Sequence, residues 1–248
     1  MKKVKGAILC GGKGKRLRPL TYYFQKTMIP IGRKQKPLLE YIVKLLKYYG
    51  ITDLVLLVGY KHEQIINYFE NGERFGVKIS YVVDAPEYQG TGGALLNAYL
   101  NKAFSDVETV LVYYGDILSN INLADLLNKH WEWNASATLA VAAKYQIPVG
   151  VAETRGNKVV GMREKPWLPI QATIGILALN TSTLKVLEEL GKKMKNIDIM
   201  GNLIPELIRR NHPVYAYQHS GEWYDVGTTE RYEKLDNSKI DEMFKHIV

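Results

Sequence analysis

Three glycines and five basic side chains crowd the residues after the first apolar run of this 248-residue chain. The run Val4-Lys5-Gly6-Ala7-Ile8-Leu9 reads as a β-strand entering a glycine turn at Gly11, Gly12 and Gly14. Backbone amides exposed in such a turn form a nest for an anion. Lys13, Lys15, Arg16, Arg18 and Lys26 follow, with enough positive charge to hold a polyphosphate. The combination predicts a nucleoside triphosphate site at the end of the first strand. A Walker A loop is excluded because no Lys-Ser/Thr pair closes the turn. A dinucleotide fingerprint is excluded because Leu17 stands where its third glycine belongs. Read as a bare pattern, the segment also fits an ordinary tight turn with a solvated basic face.

Other residue types that could do chemistry lie far along the chain. Asp116 follows the apolar run Val110-Leu111-Val112-Tyr113-Tyr114 after Gly115, and Asp225 precedes a helix expected from about Gly227. In isolation the first is a turn former and the second a cap. Gly90-Thr91-Gly92-Gly93 reads as a glycine turn with Thr91 as helix N-cap, and Glu164-Lys165-Pro166 as a charged edge turn.

The elements that must position these residues alternate between strand and helix. A helix opening at Pro37 and ending at Gly50 carries Leu38, Leu39, Ile42, Leu46 and Tyr49 on one face. Strands are expected over 53–59, 78–83 and 109–113, and helices over 62–69, from Thr91 to about Leu100, and over 123–131. This βαβ rhythm predicts an α/β fold with a doubly wound, mostly parallel sheet, whose ligands bind at the carboxyl ends of the strands. After Ala135 the pattern is richer in strand, at 137–143, 150–153, 159–163 and 173–179, with helices at 181–190, 201–210 and 228–236. No linker or repeat interrupts the chain. One domain is expected over 1–248, with a nucleotide-binding half to about 135 and an inserted β-rich half from about 136.

Composition sets the remaining bounds. Hydrophobic content of 46% and charged content of 23% are ordinary for a globular chain. No apolar run approaches the roughly 20 residues of a membrane span, and Met1-Lys2-Lys3 leads into a strand, not a signal peptide. The single cysteine, Cys10, fits a reducing cytoplasm and a small buried role. A net charge of +8 raises nucleic acid as a partner, yet no helix carries a basic stripe, and phosphate-bearing small substrates explain the charge more simply. No nucleic-acid or membrane partner is expected, and homo-oligomer formation is left open.

The string Gly11-Gly12-x-Gly14-x-Arg16-Leu17-x-Pro19-Leu20-Thr21, then Lys26, Pro30-Ile31 and Lys36-Pro37-Leu38-Leu39-Glu40-Tyr41, closely resembles the signature of sugar-1-phosphate nucleotidylyltransferases, the NDP-sugar pyrophosphorylases. The resemblance continues in islands to Asp225-Val226-Gly227. It implies a Rossmann-like nucleotidyltransferase fold without a left-handed β-helix, and transfer of a nucleoside monophosphate from an NTP to a sugar 1-phosphate. It also implies Mg²⁺ held by Asp116 and Asp225, with Arg16 and Lys26 as catalytic cations. Nucleotide contacts are implied for Leu9, Gly11, Gly12, Lys13, Gly14, Glu87, Gly90 and Thr91. Sugar-phosphate contacts are implied for Gly150, Glu164, Lys165, Thr173 and Gly175.

The Gly90-Thr91-Gly92-Gly93-Ala94 turn is similar to the guanylyltransferase branches acting on mannose or heptose phosphates. The thymidylyl and uridylyl branches stand next, although Ala85 occupies the place of their base-reading Gln. The chain departs from the family at Gln25 and Thr27 around the lysine, in a slightly longer loop at 32–36, and at Thr173, often Asn in relatives. A non-catalytic regulatory or scaffold protein of the same fold is the alternative, and it would be expected to lose one of the charged groups that this chain keeps.

Overall fold

The structure is a computed structural model and describes residues 3–247, so Met1 and Lys2 of the expected leaderless start lie outside it. Ala7 and Ile8 in the first strand, β1 (Val4–Cys10), are both fully enclosed, because alternate side chains of this strand feed two separate cores. A short hairpin, β2 (Pro30–Ile31) and β3 (Lys36–Pro37), leads to α1 (Leu38–Tyr48) and β4 (Asp53–Val58). Next come α2 (His62–Phe69), β5 (Lys78–Val83), α3 (Gly90–Leu100), β6 (Thr109–Tyr114), β7 (Ile117–Ser119), α4 (Leu123–Glu132) and β8 (Ala137–Ala142). Four strands then form two small ribbons: β9 (Tyr145–Gln146), β10 (Val151–Arg155), β11 (Lys158–Arg163) and β12 (Trp167–Leu168). The chain closes with β13 (Ala172–Asn180), α5 (Leu184–Gly191), α6 (Ile204–Arg209), β14 (Val214–His219), β15 (Trp223–Asp225), α7 (Thr229–Glu233) and α8 (Asn237–Met243).

Seven strands form the central sheet in the order β14-β8-β13-β6-β1-β4-β5, and β13 alone among them runs antiparallel to its neighbours. This is the doubly wound, mostly parallel sheet that the sequence predicts. Side chains of α1, α2, α4 and α8 build the core on one face, and those of α3, α5 and α6 the core on the other. The chain leaves β1 for β4 and β5, then returns to β6 on the opposite side of β1. The resulting switch point lies where the glycine turn and Asp116 emerge. Among the described residues, no helix is long and apolar enough to cross a membrane.

Several expected boundaries differ, each for a tertiary reason. The 181–190 helix begins with a 3₁₀ turn, Thr181–Thr183, and becomes α-helical only at Leu184. The 201–210 helix starts as a wide turn, Ile199–Leu203, before α6, whose Pro205 has no N–H to donate. The expected 228–236 helix is shorter, α7 ending at Glu233, and the Asp236 carboxylate then caps the N–H groups of Ser238 and Lys239 to start a further helix, α8, that the sequence reading did not include. The polar strand β14 and the short pair β7 and β15 do not announce themselves in the sequence. Their edges are satisfied by partners distant in the chain.

Candidate active site

The carboxyl ends of β1, β5 and β6 open into a cavity of about 740 Å³, inside the range of about 300–1,000 Å³ usual for small-molecule sites. Leu9, Gly11, Gly12 and Lys13 form one wall, Arg16 and Lys26 the next, and Gly90 and Thr91 face them. Asp116 lies in the lining as well. A Cβ on Gly11 would lie 2.1 Å from Asp84 Oδ2, so any side chain there would have to displace the Asp84 carboxylate. Gly14 stands outside the lining, where its carbonyl accepts from the Leu17 N–H (2.9 Å) and the Thr21 hydroxyl (2.9 Å) to start the 3₁₀ turn Lys15–Leu17 that presents Arg16.

The departure around Lys26 has a structural explanation. Gln25 is wholly buried; its amide donates to the Cys10 carbonyl, and its side-chain oxygen accepts from the Thr27 hydroxyl at 2.7 Å. Its own N–H donates to Gln64 at 2.6 Å. Gln25 thus pins the Lys26 turn to the end of β1 and to α2. Burial pushes the Cys10 thiol far above its ordinary range, so it stays protonated and packs as a small apolar group.

The two aspartates come together through backbone pairing. β7 begins one residue after Asp116 and runs antiparallel to β15, with Asp225 opposite Ile117. The Val226 N–H donates to the Asp116 carbonyl at 2.8 Å. Each carboxylate already has one cation: Lys26 pairs with Asp116, and Arg231 with Asp225 Oδ2. Asp225 Oδ1 is buried and has no hydrogen-bond donor among the described residues. An orphaned carboxylate oxygen is costly unless a donor or cation reaches it. Hard oxygen donors of this kind suit Mg²⁺, and Asp116 and Asp225 are the residues that would hold one here, although only Asp116 lines the cavity.

On the opposite wall the turn is built differently from its sequence reading. Gln89, not Thr91, is the N-cap of α3, and it makes no side-chain cap bond. The Ile197 carbonyl takes the N–H groups of Gly92 (2.8 Å) and Gly93 (3.2 Å) instead. The Thr91 hydroxyl donates to Asp198 Oδ2 at 2.8 Å and accepts from the Ile199 N–H at 2.9 Å. Gly90 has φ +80°, and a Cβ there would lie 2.4 Å from the Ile197 carbonyl oxygen. A glycine is needed there because the backbone is left-handed and the 195–199 segment presses on it from behind.

Glu87 lies exposed outside the cavity lining. Asp84, with Asp116, is a carboxylate that lines it, and sequence reasoning missed it. The signal was there: Asp84 follows β5 as Asp116 follows β6. Burial raises the Asp84 pKa, and no salt bridge offsets it. Tyr114 also lines this wall, and burial pushes its phenol up to about 12, keeping it a donor at neutral pH.

The sugar-phosphate candidates sit apart from this cavity. Glu164 and Lys165 are exposed between β11 and β12, and a Cβ on Gly150 would lie 3.0 Å from Glu164 Oε2, so Gly150 and Glu164 are neighbours. Lys165 is close enough to α7 to help lower the Glu230 pKa, after the larger effect of Lys234. Thr173 is exposed at the start of a register shift in β13, and Gly175 within that shift lies against Tyr114 and Ile117.

The nucleotidyl transferase family matches residues 5–242. The chain belongs to this family. It is 30% identical, over 98% of its length and 65% of the relative's, to a UTP–glucose-1-phosphate uridylyltransferase of a Synechocystis species. A D-glycero-alpha-D-manno-heptose 1-phosphate guanylyltransferase of Aneurinibacillus thermoaerophilus is 36% identical over 65% of this chain and 68% of that protein. Other relatives carry adenylyltransferase names, so similarity in this family does not single out a nucleotide. The chain spans 61–68% of the length of such curated relatives. A Bacillus anthracis structure described as a glucose-1-phosphate thymidylyltransferase shares the fold with a TM-score of 0.73 over 94% of this chain and 93% of that one, at 24% identity.

Proposed function

We propose that this nucleotidyl transferase moves a nucleoside monophosphate from an NTP to a sugar 1-phosphate and releases pyrophosphate. The observation that carries this reading is the glycine-loop cavity lined by Arg16, Lys26 and Asp116, next to which the β7–β15 pairing brings the backbone of Asp225, itself outside the lining. A sugar 1-phosphate is largely dianionic at neutral pH, its second pKa being about 6. Its oxygen needs no general base to attack the α-phosphorus in line. The protein's task is to overcome repulsion between anions and to stabilise charge on the leaving pyrophosphate. Arg16 and the amides of Gly12 and Lys13 hold the β- and γ-phosphates, on the turn that Gly14 starts. Lys26 reaches the α-phosphate and the leaving group, and Lys165 holds the incoming sugar phosphate, with Glu164 accepting from sugar hydroxyls. Mg²⁺, when held by Asp116 and Asp225, supplies charge neutralisation at the α-phosphate.

We infer guanine as the base. The two acceptor oxygens of Asp84 match the adjacent N1–H and N2–H donors of guanine, whereas uracil and thymine offer one ring N–H between two carbonyls. The heptose guanylyltransferase similarity supports the same reading. Pyrophosphate release from five NTPs, each paired with mannose, heptose and glucose 1-phosphates, tests it. GTP with a mannose- or heptose-type phosphate is expected to have the highest kcat/KM. A maximum with UTP or dTTP for every sugar would replace this assignment with a glucose-type one.

A further inference from the structure

Arg231 belongs to no motif, yet it joins two parts of the site. It lies on α7, six residues beyond Asp225, and its Nη1 pairs with Asp225 Oδ2. Its Nη2 donates to the Tyr145 hydroxyl at 3.0 Å. Tyr145 comes from β9, which pairs with β12 beside Lys165, and its ring stacks on Trp223 of β15 at 6.4 Å and 23°. Thr228 caps the helix by accepting from the Arg231 N–H at 3.3 Å. The Thr229 hydroxyl lies 3.3 Å from the carbonyl of Arg16. The guanidinium is therefore held by Asp225 and by the β9–β12 ribbon, on a helix that Thr229 anchors to the phosphate loop.

Its choice of oxygen matters most. By occupying Oδ2, Arg231 leaves Oδ1 as the buried acceptor without a donor. Carboxylates that ligate metals are commonly oriented by a hydrogen-bonding partner outside the ion's own shell. We propose that Arg231 is a positioning residue that aims Asp225 Oδ1 at a divalent cation, and that Tyr145 holds Arg231 in that pose. The β9–β12 ribbon is thereby wired to the metal carboxylate. This rests on the two-aspartate reading of the site. A guanidinium that merely competed with the ion for Asp225 would act in the opposite direction, which makes the sign of one measurement decisive.

The measurement is Mn²⁺ affinity of the full chain without substrates, read as free Mn²⁺ by electron paramagnetic resonance, with melting temperatures alongside. Arg231→Met should weaken Mn²⁺ binding about 10- to 100-fold, the usual loss for a partner outside the metal shell. Arg231→Lys should recover part of that loss, since an ammonium can reach Asp225 but not span to Tyr145. It also serves as the readable variant if Arg231→Met does not fold. Tyr145→Phe should weaken binding less, and adding it to Arg231→Met should cost nothing further, because Tyr145 acts through Arg231. Unchanged or tighter Mn²⁺ binding in folded Arg231 variants, with Asp225→Asn abolishing it, overturns the positioning role alone. Equal binding by wild type and Asp225→Asn overturns the two-aspartate site, and this inference with it.

Discussion

Asp84 is a side chain whose proposed recognition role would come at a cost to stability. Its carboxyl packs over Gly11 and Gly59, and although the residue is partly exposed, desolvation there raises its pKa above the ordinary 3.8. A raised folded-state pKa means that folding favours the neutral form. That contribution is fully present below the ordinary value and is lost as pH rises through the raised one. At neutral pH the ionised group therefore costs stability, which Asp84→Asn removes. The variant should melt higher than wild type at pH 7, and the gap should close as the pH falls below 3.8. Its preference for GTP should fall as well, because an amide presents only one acceptor to guanine. A melting temperature unaffected at pH 7, or a gain that persists unchanged in acid, would contradict this account of Asp84. The residues legible in the sequence were those whose meaning is local, such as the glycine loop and the acid after an apolar strand. Asp84 carries that same local signal, an acid after an apolar strand, whereas Arg231 acquires its meaning only from what folding sets beside it.

At the scale of elements, the base-side turn depends on a segment more than a hundred residues away. Gln89 bridges to Asn196, its N–H donates to the Lys195 carbonyl at 2.8 Å, and the Ile197 N–H returns a bond of 2.9 Å to Gln89. Gly90 sits inside this clamp with φ +80°. Gly90→Ala must both adopt a left-handed conformation and push back the Ile197 carbonyl, at a cost on the order of 1–3 kcal/mol. The variant should melt lower and raise KM for every NTP by a similar factor, measured by steady-state kinetics beside thermal unfolding. A loss confined to one nucleobase would mean that the Cβ meets the base, not the 195–199 segment. The same long-range contact explains why Thr91 reads as an N-cap and is not one: Asp198 claims its hydroxyl. Helices and inner strands were readable because their apolar spacing is periodic. β7, β14 and β15 were not, since Val214-Tyr215-Ala216-Tyr217-Gln218-His219 alternates weakly and the other two are three residues long.

Across the whole molecule, the sheet order converts sequence distance into chemistry. The glycine turn leaves β1 and Asp116 leaves β6, and these strands are adjacent because the chain reverses direction of travel across the sheet at β1. β15 then carries Asp225 back from the far end of the chain onto β7. Lys26 lies between, paired with Asp116. If this convergence is the active site, its parts must fail together. The most direct measurement is pyrophosphate release from GTP in the presence of Mg²⁺, with and without mannose or heptose 1-phosphate, for wild type, Lys26→Ala, Asp116→Asn, Asp225→Asn and the double aspartate variant. Release should require the sugar phosphate and the metal and fall about 10²–10³-fold in Lys26→Ala. It should also be lost in each aspartate variant, with the double scarcely worse than either single because both serve one ion. Full activity in chelator, release independent of any sugar 1-phosphate, or aspartate variants that stay near wild type would contradict the account.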